Sequence, residues 1–353
     1  MMRQCGIKVA VIDNGVCKDG CFGINIDESY IVTADGKVME YWCTEEESIH
    51  GTVCAAIIGG YAPEVSIVSL KVMNKPIENK AVDKIITALK WCDEHRIKVC
   101  HLSIGVTSVK YYDRFRSLIR HMREKGHIII AAMANDNRFT LPACVEGVIS
   151  VKAEKELFGE KYYRGMGRLG EPTFFASGRH CLKDVNGNDI VVEGENSFAA
   201  PVITAQVVKR FQRESEGSGL DQEKNMGSYY NSKLQFDYIR KCFGGIREVS
   251  VPVVVFWGEK YTTLEQIYEF RQYLEERDFL AIIVSDRGTC EKSELMISVT
   301  SKQRIQEYLG LIQEYYNIDI LLIYTKGKDD YSGGDLYIGE EKDFDELIKI
   351  LLT

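Results

Sequence analysis

Three side chains in this sequence can together activate a hydroxyl. They are a carboxylate in VAVIDNG (Asp13), an imidazole in HGTVCAAIIGG (His50) and a hydroxyl in GENSFAAPVITAQVV (Ser197). An imidazole titrates near neutrality and can take the proton of a serine hydroxyl as its oxygen attacks a carbonyl. A carboxylate behind the imidazole fixes its tautomer and stabilises the cation that forms. Asn135, in AAMANDN, adds an amide that can donate to a developing oxyanion. Each residue alone has an ordinary explanation. Asp-Asn-Gly is turn chemistry, a lone histidine at a helix start is commonly a surface or capping residue, a serine there is commonly an N-cap, and Asn135 alone reads as a loop residue. What joins them is their order, Asp before His before Ser, with each at a strand end or a helix start.

The elements that must position these residues are legible in the apolar pattern. Doubly apolar runs at 8–12, 66–72, 99–104, 127–132 and 147–151 read as strands, and 51–59, 81–94 and 112–125 read as helices. Strands apolar on both faces, alternating with helices, predict a parallel α/β sheet covered on both sides. Asp13 then ends the first strand, where sites of open α/β sheets gather. Residues 154–195 read as irregular loops or a short antiparallel hairpin, followed by an apolar helix over 198–213. Pro201 is best tolerated in a first helical turn, which places the helix start at or just before Ser197. There the free N–H groups and the helix dipole favour negative charge.

On these motifs the chain resembles the subtilase (S8) family over about residues 5–212. VAVIDNGV is similar to the family's Asp motif, HGTVCAAII to its His motif and SFAAP to its Ser motif. LKV at 70–72, HLSIG at 101–105 and LPA followed by VISV are further landmarks. The resemblance implies a subtilisin-like three-layer, doubly wound, mostly parallel sheet. It implies a serine endopeptidase with Asp13, His50 and Ser197 as triad, Asn135 as oxyanion donor, and Leu102, Ser103, Ile104 and Gly105 adding the substrate as an edge strand. The chain departs from the pattern at Glu195 and Asn196, where Gly and Thr are usual, and at Ala134, where Gly is usual. Met133 enlarges the same turn, and Val53 stands where a second His is common. These departures point to a narrower cleft. They also motivate an alternative, a catalytically weak or inactive subtilase-fold scaffold that binds peptides.

Beyond the Ser motif, 214–228 is polar and rich in Gly and Ser, and reads as a linker between a peptidase domain (1–213) and a smaller C-terminal α/β domain (229–353). Strands at 252–257, 280–285 and 319–324 and helices at 263–277, 301–316 and 343–352 make a second doubly wound unit, typical in size for a domain. It carries Gly258, Lys260, Thr262 and Thr263 between a strand and a helix but lacks the full phosphate-binding loop, which argues against nucleotide binding. Substrate recognition or homo-oligomerisation are the expected uses of this unit.

A formal net charge of −8 without a basic stripe argues against nucleic acid as partner. There is no signal-peptide pattern and no span-length apolar window. The first strand starts within about ten residues of Met1, which leaves no room for an N-terminal pro-domain. Eleven cysteines, an odd number in a chain too large to need staples, are expected to be reduced, largely buried and without a zinc site, in a cytoplasmic protein. No cofactor or metal is called for. The expected partner is a peptide or protein substrate, with the leader of a ribosomally made, modified precursor peptide as one restricted choice by analogy.

Overall fold

The computed structural model describes residues 7–18, 22–44, 48–73, 81–136, 138–166, 172–215, 248–258, 263–285, 296–298, 309–310, 312–327, 331–339 and 344–351. Its larger sheet has nine strands: β1 (Lys8–Asp13), β2 (Ile26–Val32), β3 (Val38–Glu40), β4 (Ser66–Lys71), β5 (Val99–Leu102), β6 (Ile128–Ala132), β7 (Val148–Ala153), β8 (Tyr162–Met166) and β9 (Pro172–Ala176). They run in the order β3-β2-β4-β1-β5-β6-β7-β9-β8. The seven inner strands are parallel, and β3 and β8 pair antiparallel at the two edges.

The alternation of side chains along β1 builds both cores. Val9 and Val11 face the layer of α1 (Ile49–Tyr61) and α4 (Asn196–Ser215). Ala10 and Ile12 face the layer of α2 (Ala81–Glu94) and α3 (Tyr112–Glu124). Burial on both faces is why the strand is apolar at every position up to Asp13, and why the sheet is parallel and helix-covered. The three-layer, doubly wound α/β expectation holds.

The described residues between 154 and 195 hold more regular structure than their composition suggests. β8 and β9 pair antiparallel, and β10 (Arg179–Lys183) with β11 (Asp189–Glu193) forms a hairpin. β2 and β3 were not anticipated either, because IDESYIV is charged on its exposed positions and only half buried.

A second sheet of five parallel strands is ordered β14-β13-β15-β12-β16, from β12 (Val253–Trp257), β13 (Ala281–Ser285), β14 (Met296–Ser298), β15 (Ile320–Thr325) and β16 (Leu336–Ile338). α5 (Leu264–Glu275) enters through a capping box of Thr263 and Gln266. α6 covers helical residues 312–316, and α7 is Phe344–Leu351. One face of this sheet packs on α5 and α7. The other, through Val253, Val255, Ile282, Val284, Leu321 and Ile323, joins the apolar cluster of α2 and α3. The expected linker begins inside α4 at residues 214–215, and the rest of it lies outside the described residues, as do Lys260 and Thr262. No described helix is long and apolar enough to cross a membrane.

Candidate active site

Asp13 closes the inner strand β1 and is 1% exposed. Its Oδ1 accepts from His50 Nδ1 at 2.8 Å and from the Asn14 main-chain N–H at 2.7 Å. Its Oδ2 is buried with no hydrogen-bond partner among the described residues. A carboxylate acceptor at Nδ1 selects the Nδ1–H tautomer and leaves Nε2 as the basic nitrogen.

His50 is the second residue of α1 and its ring is about one-third exposed. Asn14 Oδ1 accepts from Gly51 N at 2.9 Å, so the Asp13-Asn14 turn both holds the imidazole and caps the helix that carries it. A Cβ at Gly51 would lie 2.2 Å from the Gly15 carbonyl oxygen, so a side chain there would push the helix start away from Asp13.

Ser197 is the second residue of α4. The ring of its neighbour Phe198 lies 5.7 Å from the His50 ring, centroid to centroid. The main-chain oxygen of Glu195 accepts from Phe198 N at 3.0 Å and Ala199 N at 3.3 Å, while the Glu195 side chain is exposed. Its charge therefore sits in solvent, and its main chain does the capping.

Pro201 falls in the second turn of α4, later than expected, and has no N–H to give the Ser197 carbonyl. That carbonyl accepts instead from Ser103 Oγ at 2.7 Å and from the Cys54 thiol at 3.5 Å. Ser103 in turn lies 2.9 Å from His101 Nε2, and His101 Nδ1 lies 2.8 Å from Thr204 Oγ1. Because Ser103 gives its only proton to Ser197, His101 must donate from Nε2 and accept at Nδ1. The direction then runs Thr204 to His101 to Ser103 to Ser197, with the Thr204 proton shared between His101 Nδ1 at 2.8 Å and the Ala200 carbonyl at 3.2 Å. Burial pulls the His101 pKa down to about 4, which keeps the ring neutral as this relay requires. Burial pushes the Cys54 thiol well above its ordinary value, so it stays protonated as a donor. Sequence reasoning passed over His101 and Thr204. The findable signal was a histidine inside a buried strand, which demands a polar partner.

Asn135 is exposed in the turn after β6, and its Oδ1 accepts from Asn196 N at 3.3 Å. With the oxygen as acceptor, the amide nitrogen is the group left to donate. Asn196 is 8% exposed and fully engaged. Its Oδ1 accepts from Ala153 N at 2.8 Å, and its Nδ2 donates to Met133 O and Ala134 O, each at 3.1 Å. Asn196, a departure from the family pattern, thus ties the Asn135 turn and the end of β7 to the start of α4. Ala134 N donates to Thr140 Oγ1 at 3.0 Å, and Ala134 is not among the residues with positive φ, so alanine carries no strain where glycine is common.

Of the four expected substrate-strand residues, Leu102 lies inside the sheet between Ile12 and Ala131. Ser103 and Ile104 are buried, and Gly105 is exposed. The strand stops at Leu102, where Ser103 turns to Ser197, and Val106 pairs antiparallel with Leu141. Ligand-type atoms of Asp13, His50 and Cys54 lie within 4.8 Å of one another, the one such group among the described residues. His50 Nδ1 is bound to Asp13, and the protonated thiol is bound to Ser197, so this donor set is occupied by hydrogen bonds. Cys17, Cys54, Cys92 and Cys100 are buried thiols, and Cys181 is exposed.

A model of the subtilase family (peptidase S8) matches residues 4–239. Among solved structures, the chain is similar to the S41 psychrophilic protease at 18% identity, covering 60% of this chain and 78% of that one with a TM-score of 0.44. It is similar to the prenylagaramide maturation protease PagA at 19% identity, covering 60% and 77% with a TM-score of 0.43. Glucose-6-phosphate isomerases of Lactobacillus gasseri and Lactobacillus johnsonii are each 26% identical over 106 residues, 29% of this chain. The chain spans about a fifth of the length of these curated relatives, 22% of each, and none of their activity is carried over.

Proposed function

This chain belongs to the subtilase family, and from that premise we propose that it is a serine endopeptidase whose catalytic triad is Asp13, His50 and Ser197. Ser197 Oγ attacks the scissile carbonyl while His50 Nε2 takes its proton. His50 then returns that proton to the leaving amine, and water repeats the sequence to release the acyl group. Asp13 holds the tautomer and balances the imidazolium. The Asn135 amide and the Ser197 main-chain N–H stabilise the oxyanion. Gly105 and its neighbours bind the substrate main chain. The observation that carries the reading is the 2.8 Å contact between His50 Nδ1 and the buried Asp13 carboxylate at the end of the inner strand β1, with the Phe198 ring at the start of α4 5.7 Å from the imidazole.

The substrate is a peptide or protein. The narrower reading is one dedicated precursor, such as the leader of a modified peptide, and the second α/β unit packed against the first is what supports restricted recognition. Buried free thiols in the core support a reducing compartment, and the cytoplasm is the location this reading takes. Digestion of an unfolded protein such as reduced casein, followed by mass spectrometry, tests the reading. Fragments are expected with wild type and not with His50→Ala or Ser197→Ala. Equal fragmentation by all three proteins would sink it.

A further inference from the structure

The second α/β unit meets the first at the loop that follows Asn135. Phe139 N donates to the Tyr315 main-chain oxygen at 3.0 Å, and the Phe139 ring packs edge-on against Tyr315 and tilted against Tyr316. Tyr315, on α6, is 9% exposed. Its hydroxyl lies 3.5 Å from Cys144 Sγ. That sulfur accepts from Thr140 N at 3.3 Å and lies 3.7 Å from Met133 Sδ, to which it donates. With its proton given to Met133, Cys144 takes rather than gives a proton at Tyr315, so the Tyr315 hydroxyl is the donor.

Tyr315 therefore grips the loop on both sides of Thr140. Its main chain holds Phe139, and its hydroxyl holds Cys144. Thr140 Oγ1 in turn accepts from the N–H of Ala134, the residue before Asn135, and Cys144 touches Met133, the residue before that. Leu141, next in the loop, exchanges both main-chain hydrogen bonds with Val106, which follows Gly105. One tyrosine from the second unit thus reaches the oxyanion turn by two short routes and the Gly105 segment by a third.

We propose that Tyr315 is a positioning residue for the oxyanion donor, so that the second α/β unit completes the catalytic cleft of the first. The inference rests on the peptidase reading above for its catalytic consequence. A donor amide must sit within a few tenths of an ångström of the oxyanion to be effective, and loss of the contact that fixes it is felt in the acylation step more than in binding. Cys144 alone would be an ordinary buried thiol. The tyrosine's simultaneous hold on Phe139 and Cys144 gives the loop a fixed position relative to a second sheet.

The test uses the full-length protein, with Tyr315→Phe removing only the hydroxyl and Tyr315→Ala removing the ring as well. The readouts are the second-order rate of phosphonylation by a fluorophosphonate probe, kcat and KM for p-nitrophenyl acetate, and hydrogen exchange of the peptide spanning 131–141. Tyr315→Phe is expected to slow phosphonylation and kcat about tenfold, about the worth of one fixed hydrogen bond, with KM unchanged and exchange of that peptide faster. In an Asn135→Ala background the same change is expected to have no further effect on rate, an outcome that general destabilisation does not produce. Wild-type rates and exchange in both variants would overturn the inference, as would an undiminished effect in the Asn135→Ala background. A wild type that takes up no probe overturns the peptidase reading instead, and exchange in the 131–141 peptide still decides whether Tyr315 holds the loop.

Discussion

Replacing Asn196 separates a structural role from a catalytic one. Its side chain makes three hydrogen bonds to main chain, one from the end of β7 and two to the residues just before Asn135, and it is 8% exposed. Asn196→Ala leaves the Ala153 N–H without its acceptor and the Met133 and Ala134 carbonyls without this donor. An orphaned buried N–H costs about 1–3 kcal/mol, and carbonyls with a second lone pair cost less, so a stability loss of roughly 2–4 kcal/mol is expected. Asn196→Asp is the sharper variant. It is nearly isosteric and keeps the acceptor for Ala153, but it turns a carboxylate oxygen toward two carbonyl oxygens. Repulsion there displaces the Asn135 turn. Since removing an oxyanion donor outright costs about 10²–10³ in kcat, a drop of about 10²-fold is expected for this displacement. The assay is p-nitrophenyl ester turnover with separate kcat and KM, alongside urea unfolding. In an Asn135→Ala background, Asn196→Asp is expected to cost less than about threefold, because the donor it misplaces is already gone. An Asn196→Asp protein with wild-type kcat, or one whose loss is undiminished without Asn135, would refute the reasoning that this residue positions the oxyanion turn.

Two further perturbations follow from the relay behind Ser197. Ser103→Ala strips the Ser197 carbonyl of its 2.7 Å donor and leaves only the weak thiol, so stability should fall by about 1–2 kcal/mol and kcat by several-fold with KM little changed. Steady-state kinetics and thermal unfolding check both. His101 gives a signed pH dependence. Its pKa is pulled from 6.5 down to about 4 chiefly by burial, with Asp13 opposing and His50 adding to the shift. Below the ordinary value the unfolded chain takes up a proton that the native ring refuses. Stability from this residue is therefore intact above about pH 6.5 and erodes as the pH falls toward 4, by roughly 3 kcal/mol in all. Urea midpoints between pH 7 and 4 should show this slope in wild type and lose it in His101→Gln. An identical slope in both proteins would refute the assignment.

The fold was readable because the inner strands are buried on both faces. Val9 to Ile12 leaves no polar break before Asp13, and the same holds for Ile128 to Ala132. Strands at the edge escaped because one face is wet: β2 reads as charged, and the β10–β11 hairpin alternates too weakly to stand out from its loops. The triad candidates were legible because each lies at an element boundary that local chemistry marks, a turn after a strand or a small-residue helix start. Asn196, His101 and Tyr315 were not, because the partners that define their roles lie 43 positions away for Ala153 with Asn196, 103 for His101 with Thr204 and 171 for Cys144 with Tyr315. No local pattern encodes such a contact. Pro201 pointed to the right helix start, Asn196, although it stands in the second turn and not the first. A proline in the second turn normally orphans a carbonyl, and here Ser103, about a hundred residues earlier, supplies the missing donor.

The central claim is that Ser197 is a nucleophile made reactive by His50. The direct measurement is intact-mass and peptide-mapping analysis of the protein after exposure to a fluorophosphonate probe, across pH 5 to 9, for wild type, His50→Ala and Ser197→Ala. The account predicts a single adduct on the peptide containing Ser197 in wild type, formed faster as the imidazole loses its proton, and none in either variant. An adduct on another residue, or equal modification of Ser197 when His50 is alanine, would contradict it.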